Sequence, residues 1–134
     1  MTDPAFLGID IGTSGVKCAV LGEGGLLGTA LAEHQMDTPQ PGWAEQDPDT
    51  WIKGMRSALQ AALERAQVHP EAIRGIGLSG QMHGTVLLGR DRRVLRPAIL
   101  WADQRSAPQV DWINKTIGQE KLAAWTGNPV AAGF

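Results

Sequence analysis

Three short stretches of this 134-residue chain carry side chains that can do chemistry. The first is Asp10, followed by Gly12, Thr13, Ser14 and Gly15, with Lys17 close behind. A glycine turn offers backbone amides, and here two hydroxyls as well, which together suit an anionic phosphate. A carboxylate just ahead of such a turn can serve a metal ion that bridges the phosphates, directly or through water. The second stretch holds Gln81 and His83, the third Asp103 and Arg105. Amide, imidazole, carboxylate and guanidinium supply the mixture of donors and acceptors that a polyol needs, because each sugar hydroxyl is both. Such groups discriminate strongly when buried, since a wrong ligand leaves them unpaired. Plainer readings stand beside these. The glycine turn can be only a hairpin turn with Asp10 fixing it, and His83 only a hydrogen-bonded structural residue. Asp103 can pair with Arg105, or cap a helix that begins near Ser106.

Each stretch follows an apolar segment that must position it. Residues 6–11 read as a buried strand with Asp10 near its C-terminal end. A carboxylate there loses hydration unless something pairs with it, and Lys17 is nearby. Residues 16–21 read as a second strand, so the glycine turn sits in a hairpin. The P-loop and the dinucleotide fingerprint instead lead from a glycine turn into a helix. A third strand is expected over residues 26–36, then a loop over 37–47 with Pro39, Pro41 and Gly42. Trp43 within that loop is expected to cap a core from outside. Asp47 as N-cap, Pro48 at the first helical position and Asp49 in the first turn open a helix. The helix should stop near His69-Pro70. Its stripe of Trp51, Ile52, Met55, Leu59, Ala62, Leu63 and Ala66 follows a 3.6-residue repeat and predicts a core face.

A glycine-laced strand over 73–80 delivers Gln81 and His83. Residues 85–88 and 94–95 then bracket Arg90, Arg92 and Arg93, a solvated hairpin tip with no interleaved aromatics. A strand over 97–101 delivers Asp103, and helices over 107–117 and 119–125 follow. The order predicts an α/β domain whose mixed sheet joins an antiparallel hairpin region to parallel strands, with flanking helices. Ligands of open α/β sheets bind outside the carboxyl ends of the strands. If the three strands are parallel neighbours, all three stretches face one cleft.

Composition narrows the function classes. A chain with 43% hydrophobic and 19% charged residues has the make-up of one soluble globular domain. A net charge of -2 argues against a nucleic-acid or anionic-membrane surface. Cys18 is the single cysteine, so no disulfide or cysteine metal cluster forms within the chain. No apolar run approaches about 18 residues, and no basic-then-apolar leader opens the sequence, which points to the cytoplasm. A two-metal nuclease needs several carboxylates at strand ends. Asp10 and Asp103 are the clear candidates here, with no basic track, and that reading ranks last.

The run Gly8-Ile9-Asp10-Ile11-Gly12-Thr13-Ser14-Gly15-Val16-Lys17 resembles the first phosphate motif of the sugar-kinase, actin and heat-shock ATPase superfamily. That likeness implies a ribonuclease H-like, actin-like ATPase domain. Ser79-Gly80-Gln81-Met82-His83-Gly84 and Arg96-Pro97-Ala98-Ile99-Leu100-Trp101-Ala102-Asp103-Gln104-Arg105 resemble the carbohydrate-kinase family that includes glycerol kinase, and within it the bacterial xylulokinases. Pro41-Gly42-Trp43-Ala44-Glu45-Gln46-Asp47-Pro48, Thr126-Gly127-Asn128-Pro129 and Gly133-Phe134 match as well. Gln-Met-His-Gly is the most specific part, since the glycerol enzymes carry an arginine-glutamate pair there.

The resemblance implies ATP and Mg2+ as cofactors and phosphorylation of a ketopentose, D-xylulose first, to its 5-phosphate. A related ketose or polyol is the next choice, and a non-catalytic sugar- or nucleotide-binding module the rival reading. Asp10 is implied as an activity-critical acid serving the metal through water. Gly12, Thr13, Ser14 and Lys17 are implied at the nucleotide phosphates, Met82 and His83 at the sugar with Gln81 beside them, and Asp103 at the sugar's hydroxyls. Family members are much longer, in two actin-like domains, with the general base and the adenosine pocket in the second half. Residues 1–134 are therefore expected to be the N-terminal part of the first domain, with the second absent, and inactive alone. The expected partner is a small-molecule sugar, with no nucleic acid and no membrane, and a homodimer stays open.

Overall fold

The computed structural model describes residues 3–133, so Phe134, one end of the family-like Gly133-Phe134, lies outside them. In chain order the elements are β1 (Ala5–Ile11), β2 (Gly15–Gly22), β3 (Gly25–Glu33), β4 (Glu45–Gln46), α1 (Pro48–Ala66), β5 (Ile73–Gly80), β6 (Ala98–Ile99), α2 (Ala107–Ile117) and α3 (Gln119–Thr126). A short 3-10 turn, Pro70–Ala72, leads into β5. The chain up to Met36 forms one unit with Asp47–Gln81, and Asp37–Gln46 forms a second with the chain from Met82 onward.

In the first unit, alternation sets the faces of the strands. Ala5, Leu7 and Ile9 of β1 are buried, whereas Phe6 and Asp10 are exposed. The expectation of a buried strand is corrected here, because one face of β1 is open and Asp10 keeps its hydration on it. The sheet runs β3-β2-β1-β5. β1 pairs antiparallel with β2, which sets Asp10 opposite Lys17, and β2 pairs antiparallel with β3. β1 pairs parallel with β5, which sets Asp10 beside Ser79. The glycine turn therefore sits in a hairpin beside a parallel neighbour. β3 stops at Glu33, short of the expected 36, and His34 turns back toward the first hairpin.

Helix α1 begins as the sequence predicts. The N–H of Asp49 donates to Oδ1 of the N-cap Asp47 at 3.0 Å, and Pro48 takes the first turn. The helix ends on Gln67 in a left-handed conformation, two residues before His69. Ala58 and Ala62 are its buried residues, and Met55, Leu59, Leu63 and Ala66 pack around the same core. Ile52 is 45% exposed, so the expected stripe is too wide at its N-terminal end. Toward the C-terminal end of α1, small residues let the helix backbone settle onto the strands. A Cβ on Gly28 of β3 would lie 2.7 Å from the Ala66 nitrogen and 2.9 Å from the Ala62 oxygen. Gly28→Val should therefore push helix and sheet apart, costing about 1–3 kcal/mol as overpacking does. The check is a urea titration against the parent chain. An unchanged midpoint would show that the contact is soft.

In the second unit the elements are short. β4 lies inside the segment expected to be loop and pairs antiparallel with β6, Glu45 opposite Ile99 and Gln46 opposite Ala98. The strand expected over 97–101 shrinks to Ala98–Ile99. Pro97 has no N–H to give a ladder, and the chain bends at Trp101. The expected hairpin around the arginines is reduced to one bridge, Leu88 with Val94. Ala44, Ala98, Leu100 and Leu122 are buried in this unit. Helices α2 and α3 fall where expected. Among the described residues, no helix is long and apolar enough to cross a membrane.

Candidate functional site

The first unit gathers the phosphate-type residues at one edge. β1 and β5 run parallel and in register to their ends, with Asp10 beside Ser79 and Ile11 beside Gly80. The N–H of Gln81 then donates to the Ile11 carbonyl at 2.8 Å, so Gln81 leaves the sheet next to the glycine turn. Within that turn the Gly12 N–H donates to the Gly15 carbonyl at 3.0 Å. That amide closes the turn and is not offered to an anion. Gly12 contributes space instead. A Cβ there would stand 3.2 Å from the Gly15 oxygen, tight against the carbonyl that closes the turn.

His34 is a residue that sequence reasoning passed over. Its Nε2 lies 3.0 Å from the Gly12 carbonyl, and its backbone N–H donates to the Ser14 carbonyl at 3.1 Å. One residue thus grips the turn at both ends. With Nε2 as donor, Nδ1 carries a lone pair, and that atom is buried without a hydrogen-bond partner. A lone histidine after a strand carries no pattern that could have marked it.

Met82, His83 and Asp103 belong to the second unit. Met82 is 58% exposed and His83 is exposed too, directly after the parallel strand. His83 adopts a left-handed backbone with φ of 60°. Non-glycine residues hold that conformation at a cost of about 1–3 kcal/mol, and such strain gathers at functional sites.

Asp103 is only 1% exposed and is fully engaged. Oδ2 accepts from the Ala44 N–H and from Arg105 Nη2, each at 2.7 Å. Oδ1 accepts from the Arg105 N–H at 2.9 Å and from Arg105 Nε at 2.8 Å. Four bonds fill the lone pairs of a carboxylate. No lone pair remains for a sugar hydroxyl, so the geometry takes the plainer reading, the pair with Arg105. Burial by itself raises the Asp103 pKa, but the hydrogen bonds from Arg105 and the Ala44 amide outweigh it and hold the carboxyl below its ordinary range. Arg105 is pushed up in turn, first by its bond to Asp103. Its guanidinium stacks 3.6 Å from the centroid of Trp43, which makes that tryptophan one face of an ion cluster.

Whether a divalent metal fits can be asked of the donors themselves. Among the described residues, no group of three or more histidine, cysteine, aspartate or glutamate side chains is placed to hold one. A single exposed carboxylate beside a phosphate-type turn is nevertheless the donor set that magnesium uses. That ion keeps most of its waters and takes one or two carboxylates plus phosphate oxygens. The residues present fit a hydrated ion and not a protein cage.

Residues 5–134 match the family described as FGGY family of carbohydrate kinases, N-terminal domain. The chain belongs to that family. It is 38% identical to the xylulose kinase of Escherichia coli over 130 residues, covering 96% of this chain and 26% of that protein. A crystal structure from Brucella ovis, described as a xyloylose kinase, is 46% identical with a TM-score of 0.86, and the match covers 97% of this chain and 27% of that one. The xylulose kinase structure from Rhodospirillum rubrum is 28% identical with a TM-score of 0.87 and the same two coverages, 97% and 27%. The mixed sheet with its flanking helix is thus the actin-like, ribonuclease H-like ATPase fold of these sugar kinases. The chain spans about a quarter of the length of the curated relatives it matches.

Proposed function

We propose that this chain is the N-terminal part of an ATP-dependent ketopentose kinase whose substrate is D-xylulose. One observation carries the reading. The Asp10 turn and the Gln81-Met82-His83 segment leave two parallel strands that pair in register, Asp10 with Ser79 and Ile11 with Gly80. Phosphate-type and sugar-type residues thus follow adjacent strand ends, in a chain 38% identical to a xylulose kinase.

Phosphoryl transfer asks a protein mainly for positioning and charge neutralisation. Thr13 and Ser14 donate to phosphate oxygens, and Lys17, opposite Asp10 on β2, adds positive charge. Asp10 would hold a hydrated magnesium ion, which when bound would supply positive charge to offset that of the phosphates. Met82 offers apolar contact to the sugar carbons, while His83 and Gln81 hydrogen-bond its hydroxyls. The general base and the adenosine pocket lie in the remainder of the family's length. A small-molecule sugar in the cytoplasm is the partner this reading needs.

The test is sugar-dependent ADP release by a family-length polypeptide carrying this chain as its first part, run beside the 134 residues alone. The longer polypeptide should prefer D-xylulose to other ketoses and to glycerol. The chain alone should show no sugar-dependent turnover and at most weak, magnesium-dependent nucleotide binding. Preference for another sugar would move the substrate. Sugar binding without turnover in the longer polypeptide would favour a binding module. Turnover by the 134 residues alone would overturn the placing of the base elsewhere.

A further inference from the structure

Trp43, Glu45, Arg96 and Arg105 have no part in the mechanism above, yet they form one linked set within the second unit. Arg105 Nη2 donates to Glu45 Oε1 as well as to Asp103 Oδ2, each at 2.7 Å. Arg96 pairs with the same Glu45 oxygen. The side chains of Asp103 and Glu45 are 2% and 9% exposed, and that of Arg105 only 17%. Glu45 lies in β4, directly opposite Ile99 of β6. The other edge of Ile99 is bridged to Thr85, N–H to carbonyl in both directions, at 2.8 and 3.1 Å. Thr85 is two residues past His83, whose backbone is the left-handed one.

We propose that the Arg105-centred cluster is the device that positions His83 for the sugar, acting through Glu45, Ile99 and Thr85. This rests on the reading of His83 as a sugar contact. The segment around His83 is exposed and belongs to no strand or helix, and the Thr85–Ile99 bridge anchors its C-terminal side. Ile99 in turn stands opposite Glu45 in the β4–β6 pair, where the Leu100 N–H donates to the Ala44 carbonyl at 2.9 Å, and Glu45 is held by two guanidinium groups. A two-residue strand pair is too short to fix its own register by side-chain alternation. An arginine whose planar fork is spent on two carboxylates admits one arrangement of both, which a lysine's point charge does not. Asp103 and Trp43 complete the set by orienting that fork from its edge and its face. All of these are positioning residues, since none of them touches substrate in this account.

The experiment is steady-state kinetics on the family-length polypeptide, with thermal unfolding measured on each variant. Arg105→Lys should raise the KM for sugar about tenfold, as loss of a charge-assisted network does, while the KM for ATP stays within about twofold. Glu45→Gln should show the same split. Arg65→Lys, at a side chain that donates to the Thr29 carbonyl of the first unit, should leave both constants alone. A lowered melting temperature with no sugar-specific change in KM would overturn the proposal and leave a cluster that merely stabilises. Equal losses for sugar and ATP would overturn it as well. If Arg105→Lys does not fold, Arg96→Lys alters the more exposed cation and must show the split, or the proposal fails. His83→Ala separates the two layers of inference. If it leaves the sugar KM unchanged, the site reading falls and the proposal with it, whereas a His83→Ala effect without an Arg105→Lys effect removes the proposal alone.

Discussion

Asp10→Ala, made in a family-length polypeptide, is expected to lower turnover by about 10²–10³-fold while the sugar's affinity changes little. The expectation follows from where the carboxylate stands. Asp10 is exposed on the open face of β1, beside the turn closed by the Gly12–Gly15 hydrogen bond. A group there can serve charge that develops on phosphate and metal, and it stands on a different unit from Met82 and His83. Loss of transition-state stabilisation appears in kcat, whereas loss of uniform binding appears in KM. Asp10→Asn keeps the size and removes the charge, so it should lie close to Asp10→Ala. Unchanged turnover, or a sugar KM that rises as far as kcat falls, would show that Asp10 does not act on the phosphate.

His83→Ala should raise the sugar's KM by about 10- to 100-fold, the equivalent of a hydrogen bond worth about 1–3 kcal/mol when its partner is left buried and unpaired. The KM for ATP should hardly move. Because His83 sits at φ of 60°, alanine also meets a left-handed backbone it dislikes, and part of any loss could be structural. His83→Asn resolves this, since asparagine tolerates that conformation and keeps a donor and an acceptor. It should recover part of the sugar affinity. An effect confined to ATP, or an Asn variant no better than Ala, would take His83 out of the sugar site.

Local patterns were legible where the chain carries its own signal. The strand character of β1, the turn chemistry of Gly12 to Gly15, the cap on α1 and the glycine-laced β5 are all properties of a few consecutive residues, and each element stands where those residues put it. The family was legible for the same reason, in runs such as Gln81-Met82-His83-Gly84 that lie unbroken in sequence. β4 and β6 were not. Two residues have no period, and this pair exists only because Glu45 and Ile99 meet across 54 positions of chain. Ile52 belongs to the apolar stripe by periodicity, but the stripe does not say how much of its width the sheet covers, and Ile52 is left 45% exposed.

By itself, then, the sequence determined an α/β sugar-kinase domain, the hairpin character of its phosphate turn and the order of its polar segments, because all three depend on near neighbours. Tertiary structure decided which neighbours those polar residues keep. It put Asp10 on an open face instead of in a core, set His34 under the turn and spent every lone pair of Asp103 on Arg105 and Ala44. A carboxylate's type says only that it can accept hydrogen bonds. Which donors reach it first is a matter of distance and burial, and those are fixed by contacts between residues far apart in the chain.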